Sequence, residues 1–162
     1  MKNIRIFLFL LLALALAGFA EKMRRVSVTF HVETNARDTG AFAIPVKLKN
    51  PPRQTFIEKM PSITEQEIQA IYPFPANDGT MGCAFMLDDH GRVWLDTLSV
   101  EHLGRSLVAF VDGRQVSDVL IDKRVSDGII TIPYGLTNND IASLKGKYPI
   151  IGQHKLRKEI PF

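Results

Sequence analysis

The chain has 162 residues, with 20 lysines and arginines against 17 aspartates and glutamates. This near balance excludes the strong positive field with which many nucleic-acid-binding proteins attract phosphate, so we expect no nucleic-acid partner. The single cysteine, Cys83, excludes an intrachain disulfide, so stability must come from packing.

The first twenty residues are typical of a secretory signal peptide. Lys2 and Arg5 give a positive start, residues 6–17 are uncharged and apolar, and small residues precede a predicted cut between Ala20 and Glu21. At about 1.5 Å per residue, this run is shorter than a hydrocarbon core of roughly 30 Å. We therefore predict cleavage and a secreted or periplasmic protein. An uncleaved N-terminal anchor is the alternative, because basic residues follow the run at once.

The rest of the sequence has a length that is normal for one domain. We predict a signal peptide over residues 1–20, a single α+β domain over residues 21–146, and a basic C-terminal tail over residues 147–162. No apolar run of spanning length follows residue 20. No membrane span is therefore expected after cleavage.

The domain begins with a two-residue alternation of apolar and polar side chains, first over residues 26–32 and again over residues 42–48. Alternation of this kind predicts half-buried strands, and the polar turn between them predicts a hairpin. Pro45 has no N–H to donate, so the second strand is expected to lie at a sheet edge or to be interrupted there. Such an edge would suit strand addition by a partner.

The clearest helix signal in the first half is a capping box. Thr64 is the predicted N-cap and Glu67 lies three residues later. Because prolines follow, the predicted helix ends near Tyr72.

The second half predicts a strand over residues 81–87, a helix over residues 92–103 with Trp94 as a core anchor, and strands over residues 107–111, 116–121 and 129–132. Asp112 and Gly113 are a strong hairpin signal between the second and third of these strands. Thr137 is a predicted cap for a short last helix. Strands interspersed with two or three helices predict an α+β fold, with a mixed or antiparallel sheet and the helices on one face.

Residues 104–117, GRSLVAFVDGRQVS, resemble the large extracytoplasmic region of the protein-export subunit SecD. There a Gly-Arg-x-Leu lead, an apolar strand, Asp-Gly-Lys/Arg and a Val/Ile-Ser ending recur in the head of the first periplasmic domain. The similarity extends more loosely over residues 82–145. Residues 26–75 show no match to SecD.

The resemblance implies a ferredoxin-like α+β head in the C-terminal half, a module that in SecD is thought to move with or touch a translocating chain. It implies a polypeptide or an envelope protein as partner. SecD also has a membrane bundle with proton-coupling carboxylates, which this sequence lacks. The resemblance therefore carries over the fold and not the export activity.

Candidate chemical groups form no recognisable motif in the sequence. The histidines lack the spacing of metal ligands, and the aspartates lack that of a calcium loop, so we expect no metal and no cofactor. Cys83 lies in an apolar run, which favours a buried thiol. The candidate contacts for a partner's charged groups are Arg105, Asp112 and Arg114.

The preferred hypothesis is a non-catalytic extracytoplasmic binding or accessory module. One alternative is a small secreted, hydrolase-like enzyme whose site forms only in three dimensions. A pocket containing two or more of Cys83, His102, Asp88 and Arg105 would favour it. The other alternative is an envelope protein held by its uncleaved first segment.

The signal-peptide prediction is tested by N-terminal sequencing of the protein recovered from the extracytoplasmic fraction of an expressing cell. Cleavage predicts a mature chain that starts at Glu21, because Ala20 occupies the −1 position. A chain that retains residues 6–17 and sediments with membranes would instead establish the anchor.

Overall fold

The computed structural model describes residues 26–35 and 42–152. The predicted signal peptide with Ala20 and Glu21, most of the first turn, and residues 153–162 of the predicted tail lie outside the described residues. The elements in chain order are β1 (Val28–Thr34), β2 (Ala43–Lys49), β3 (Pro52–Glu58), β4 (Ile63–Thr64), β5 (Ile68–Pro75), β6 (Met81–Leu87), α1 (Asp89–Glu101), β7 (Ser106–Val111), β8 (Arg114–Leu120), β9 (Ile129–Leu136) and α2 (Asn138–Lys147).

The strands form two antiparallel sheets. One has the order β2-β3-β1-β7-β8, with β4 beside β1, and the other has the order β5-β6-β9. Both sheets and both described helices contribute to one large apolar core, in which the rings of Phe30 and Phe85 meet edge to face at 5.8 Å. The predicted α+β class is confirmed.

The hairpin and cap predicted in the C-terminal half are confirmed. Asp112 and Gly113, with φ of 50° and 75°, join β7 to β8. Positive φ at both central residues is the requirement of the tight turn that suits strand twist. Thr137 caps α2, where its hydroxyl accepts from Asp140 N and Asp140 accepts from Thr137 N.

The C-terminal half follows the strand–helix–strand–strand order with which a ferredoxin-like fold begins. Its strands are divided between the two sheets, since β6 pairs with β5 and β9 whereas β7 pairs with β1 and β8. The two strands that flank α1 therefore face each other across the core.

The predicted pairing of the first two strands is wrong. β2 pairs with β3 along its whole length, through the short turn at Asn50 and Pro51. β1 instead pairs with β7, and only its last residues, Glu33 and Thr34, reach β3. The adjacent β2 and β3 need only a tight turn to meet, and β1 buries Val28, Phe30 and Val32 best in the middle of the sheet. Pro45 does lie on an edge strand, as predicted.

The helix predicted from Thr64 is also wrong, although its capping contact forms. Glu67 Oε2 accepts from Thr64 N at 2.9 Å and from Thr64 Oγ1 at 2.7 Å. These bonds close the turn between β4 and β5. The chain then continues as a strand and not as a helix, because Ile68 and Ala70 are buried there and pair with β6. Tertiary pairing has overridden a local signal.

Trp94 is not a core anchor, since 48% of its surface is exposed. α1 begins earlier than predicted, at Asp89, with Asp88 as N-cap accepting from Gly91 N at 2.7 Å. The buried stripe of the helix runs through Gly91, Leu95, Leu98 and Ser99, and Trp94 lies at the margin of this stripe, where half of its side chain remains in solvent.

The packed domain extends beyond the boundary predicted after residue 146. Tyr148 is buried and its hydroxyl donates to Glu65 O at 3.1 Å. Ile71 N donates to Pro149 O at 2.9 Å, and Ile151 N donates to Ile71 O at 2.8 Å. This segment therefore extends the edge of the three-stranded sheet at β5.

A buried carboxylate, that of Glu33, joins three strands where β1 passes from β7 to β3. It pairs with Arg53, accepts from Thr55 Oγ1 at 2.6 Å, and accepts from Ser106 N at 3.0 Å. Burial raises the pKa of Glu33, but these hydrogen bonds and the charge of Arg53 outweigh it and lower the pKa from 4.5 to about 2. The ionised form is therefore the one that stabilises the fold.

We predict that Glu33→Gln lowers the free energy of unfolding at pH 7 by about 2–3 kcal/mol, because Arg53 and Ser106 N lose a charged acceptor. The carboxylate contributes fully above pH 4.5, and its contribution is lost as the pH falls towards about 2. Urea unfolding at pH 7 and pH 3 measures both effects. The difference from wild type should shrink at pH 3, whereas Glu101→Gln, at the exposed end of α1, should change little at either pH. An equal loss at both pH values would contradict the assignment.

Candidate functional site

The strands β8 and β9 are the end strands of their sheets and lie alongside each other, but no backbone ladder joins them in the described part of the chain. They come closest at one end. A Cβ on Gly135, whose φ is +93°, would lie 2.8 Å from Val116 O. Arg114 Nη1 also donates to Gly135 O at 3.4 Å. This end of the gap is closed.

At the other end the strands separate and leave a largely apolar cavity of about 290 Å³, here called the slot. It is at the lower limit for ligand pockets, which span roughly 300–1,000 Å³, so it fits side chains of a segment better than a folded partner. The charged residues Asp122, Lys123 and Asp127 stand among its lining. Its apolar lining includes Leu95 and Leu98 from α1, Leu107 from β7, Val119 from β8, Ile121 directly after β8, and Ile130 from β9.

The segment between β8 and β9 is fixed to α1 beside the slot. Arg124 pairs with Asp96 through bonds of 2.5 and 2.6 Å, and these hydrogen bonds lower the pKa of Asp96. Val125 N donates to the buried Ser99 Oγ at 2.9 Å. The chain therefore contacts α1 before it enters β9.

Backbone groups on both strands point into this gap. Leu87 N donates to Gly128 O at 2.9 Å, and bonded pairs alternate along an antiparallel ladder, so Thr131 directs its N–H and C=O away from β6. On β8, Ile121 N donates to Arg105 O at 2.9 Å, so Leu120 directs its backbone away from β7. Leu120 and Thr131 thus present strand edges next to an apolar cavity.

The three predicted contact residues are not brought together. Arg105 and Arg114 lie at opposite ends of the β7–β8 hairpin. Arg114 Nη2 pairs with Asp140 Oδ2 at 2.5 Å, and Asp112 Oδ1 accepts from Ser27 N at 2.9 Å. Arg105 Nη1 donates to Glu33 O at 3.3 Å and lines a second, polar cavity.

Sequence reasoning missed the slot residues Leu120, Ile129 and Thr131. The available signal was the adjacent apolar residues at 119–121 and 129–130, because successive side chains of a strand point to opposite faces and one of each pair must lie outside the core. In the fold, 53% of the surface of Leu120 and 37% of that of Ile129 are exposed. Their meaning depends on β8 and β9 being end strands, and neither local pattern nor composition reports that.

The four residues proposed for a hydrolase-like site occupy separate places. Cys83 is fully buried on β6, Asp88 caps α1, and Arg105 lies in the polar cavity. His102 follows α1 at its C-cap, where its Nδ1 is buried with no hydrogen-bond partner among the described residues. Within residues 26–35 and 42–152, no three His, Cys, Asp or Glu side chains gather as a metal site would require.

Comparison with known proteins gives a likeness of fold. No family model and no curated protein matches the sequence. A SecDF described as a membrane component that enhances protein export matches with a TM-score of 0.51 and 14% identity, over 78% of this chain and 64% of that chain. SecDF in a super-membrane-facing form matches with a TM-score of 0.52 and 13% identity, over 78% of this chain and 19% of that chain. This chain thus spans less than two thirds of the first structure and about a fifth of the second.

The resemblance to SecD is therefore confirmed as one of fold. A match over 78% of the chain is too long to be confined to residues 82–145, so it includes part of residues 26–75, where the sequence showed none. Among the described residues, neither helix has the length and apolar character needed to cross a membrane.

Cys83 is predicted to be unreactive in the folded protein, because burial raises the pKa of its thiol to about 12. Labelling with a thiol reagent at pH 8 should be at least about a hundredfold slower in buffer than in urea, since only thiolate reacts. Similar rates in both conditions would show an accessible thiol and favour the enzyme alternative.

Proposed function

We propose that this protein is a non-catalytic, extracytoplasmic accessory module that holds a short extended segment of a polypeptide in the slot. The observation that carries the proposal is the pair of strand edges at Leu120 and Thr131, which open onto an apolar cavity. Strand addition requires both features, because backbone bonds give affinity and a pocket for alternate side chains gives selectivity.

The fold likeness to SecDF supports an extracytoplasmic role in contact with polypeptides. One SecDF is described as enhancing protein export, and the sequence begins with a predicted secretory signal. A module that meets unfolded chains needs shallow recognition of backbone and apolar side chains, not a catalytic centre. The slot provides that kind of recognition.

The slot is a better place for strand addition than the edge at Pro45. The outer edge of β2 is occupied by side chains of β8, where Gln115 Nε2 donates to Lys47 O at 2.9 Å. The Asp118 carboxylate accepts from Lys49 N at 2.7 Å and from Asn50 N at 2.9 Å. With Pro45 offering no N–H, little of this edge is left to pair.

The proposal is tested by substitutions at Thr131 and a fluorescent peptide of about ten residues with alternating valine and serine, whose length matches a typical strand. Thr131→Pro removes the N–H that faces the slot while leaving the β6 ladder intact. It should weaken peptide binding by about fivefold to tenfold. Thr131→Ala keeps the N–H and should bind within about twofold of wild type. Fluorescence anisotropy gives the dissociation constants.

Val119→Phe is a second variant, in which the larger ring fills the slot without changing β9. It should also weaken binding, and thermal unfolding verifies that each variant is folded. Equal affinity for wild type, Thr131→Pro and Val119→Phe would refute the slot as the binding site. A peptide of serine alone that binds as tightly as the valine peptide would do the same.

A further inference from the structure

A second cavity lies where β1, β3 and the turn before β7 meet. It is polar, opens to solvent and has a volume of about 480 Å³; it is called the cleft below. The cleft is separate from the slot. The two are connected by one backbone hydrogen bond, in which Ile121 N, at the slot, donates to the carbonyl of Arg105, at the cleft. Its lining includes Glu33, Asn35, Arg53, Gln54, Gly104 and Arg105.

The one carboxylate in the described lining of the cleft is fully engaged. Glu33 pairs with both terminal nitrogens of Arg53 and accepts from Thr55 Oγ1 and Ser106 N. Because these donors hold the pKa of Glu33 at about 2, it stays charged and compensates Arg53 under ordinary conditions.

Arg105 adds a second positive charge that Glu33 does not neutralise. Its hydrogen bond in the described structure goes to the neutral main-chain carbonyl of Glu33, at a long 3.3 Å. The described charged lining thus consists of two guanidinium groups and one carboxylate. The Arg105 side chain is exposed, so its remaining donors can meet a ligand from solvent.

We propose that the cleft binds a carboxylate group of a polypeptide, with Arg105 as the principal donor and Arg53 beside it. A planar guanidinium matches a carboxylate with two parallel hydrogen bonds, and the single excess positive charge of the described lining suits a monoanion. The volume of the cleft leaves room for the backbone on either side of the acidic group. The ligand carboxylate belongs either to an acidic side chain or to a chain end.

The probes are short glycine peptides without apolar side chains, so they test the cleft independently of the slot. One is capped at both ends and carries a central aspartate, one replaces this aspartate with asparagine, and one has no acidic side chain but a free C-terminal carboxylate. Titrations followed by the Nε–Hε NMR signals of arginine report binding at Arg105. We expect the aspartate or the free C-terminus to shift its signal, and the tighter of the two identifies the source of the carboxylate. The asparagine peptide should not bind.

Arg105→Gln should weaken binding of the better probe by about fivefold to tenfold, because a charge-assisted pair is lost. Lys145→Gln removes the same charge from the exposed end of α2 and is the matched control, with an expected change of less than about twofold. An equal loss of affinity in both variants would show that only the net charge of the protein matters, and would overturn the proposal. Equal binding of the asparagine peptide, or tighter binding of inorganic phosphate than of either carboxylate, would also overturn it.

Discussion

The attachment to α1 of the segment between β8 and β9 is the contact on which the shape of the candidate binding surface depends. Two nitrogens of the Arg124 guanidinium donate to the Asp96 carboxylate, and Val125 N donates to the buried Ser99 Oγ. At the opposite end of the gap the two strands approach closely, at Val116 and Gly135. One ion pair on the surface and one hydrogen bond to a buried hydroxyl thus fix the segment that joins the two end strands. An exposed ion pair alone is worth little, so the hydrogen bond that the buried Ser99 Oγ accepts from Val125 N carries much of this role.

Several acidic side chains, the residue type that could take part in catalysis or metal binding, instead make hydrogen bonds that stabilise the fold. Asp88 caps a helix, Asp112 accepts from the backbone of Ser27, and Glu33 ties three strands together. Asp118 covers the edge of β2 and so protects it from unwanted pairing. Arg105 differs, because its guanidinium donates to the neutral carbonyl of Glu33 and no described carboxylate pairs with it. Its carbonyl accepts from Ile121 N, so Arg105 of the cleft is bonded to a residue that lines the slot.

The likeness to SecDF defines a fold and leaves the activity of this chain to its own surface. At 14% identity, the shared architecture tolerates nearly complete change of side chains, as expected where packing volume and pattern are kept. The slot and the cleft are properties of the residues in this chain. The role that we propose for this chain therefore rests on them and not on the comparison.

The sequence by itself determined the features that are set by neighbours along the chain. The turn at Asp112 and Gly113, the cap at Thr137 and the burial of Cys83 all follow from a few adjacent residues. The sequence did not determine which strands pair, because the alternation of apolar and polar residues in β1 is compatible with either β2 or β7 as its neighbour. The bond from Thr64 N to the Glu67 carboxylate fits a turn as well as the start of a helix, so only pairing with β6 decided the outcome. The slot exists because β8 and β9 end separate sheets, and the cleft exists because Glu33 meets residues distant in sequence. Both arise from long-range packing, in which the energy of a contact depends on groups that no local pattern brings together.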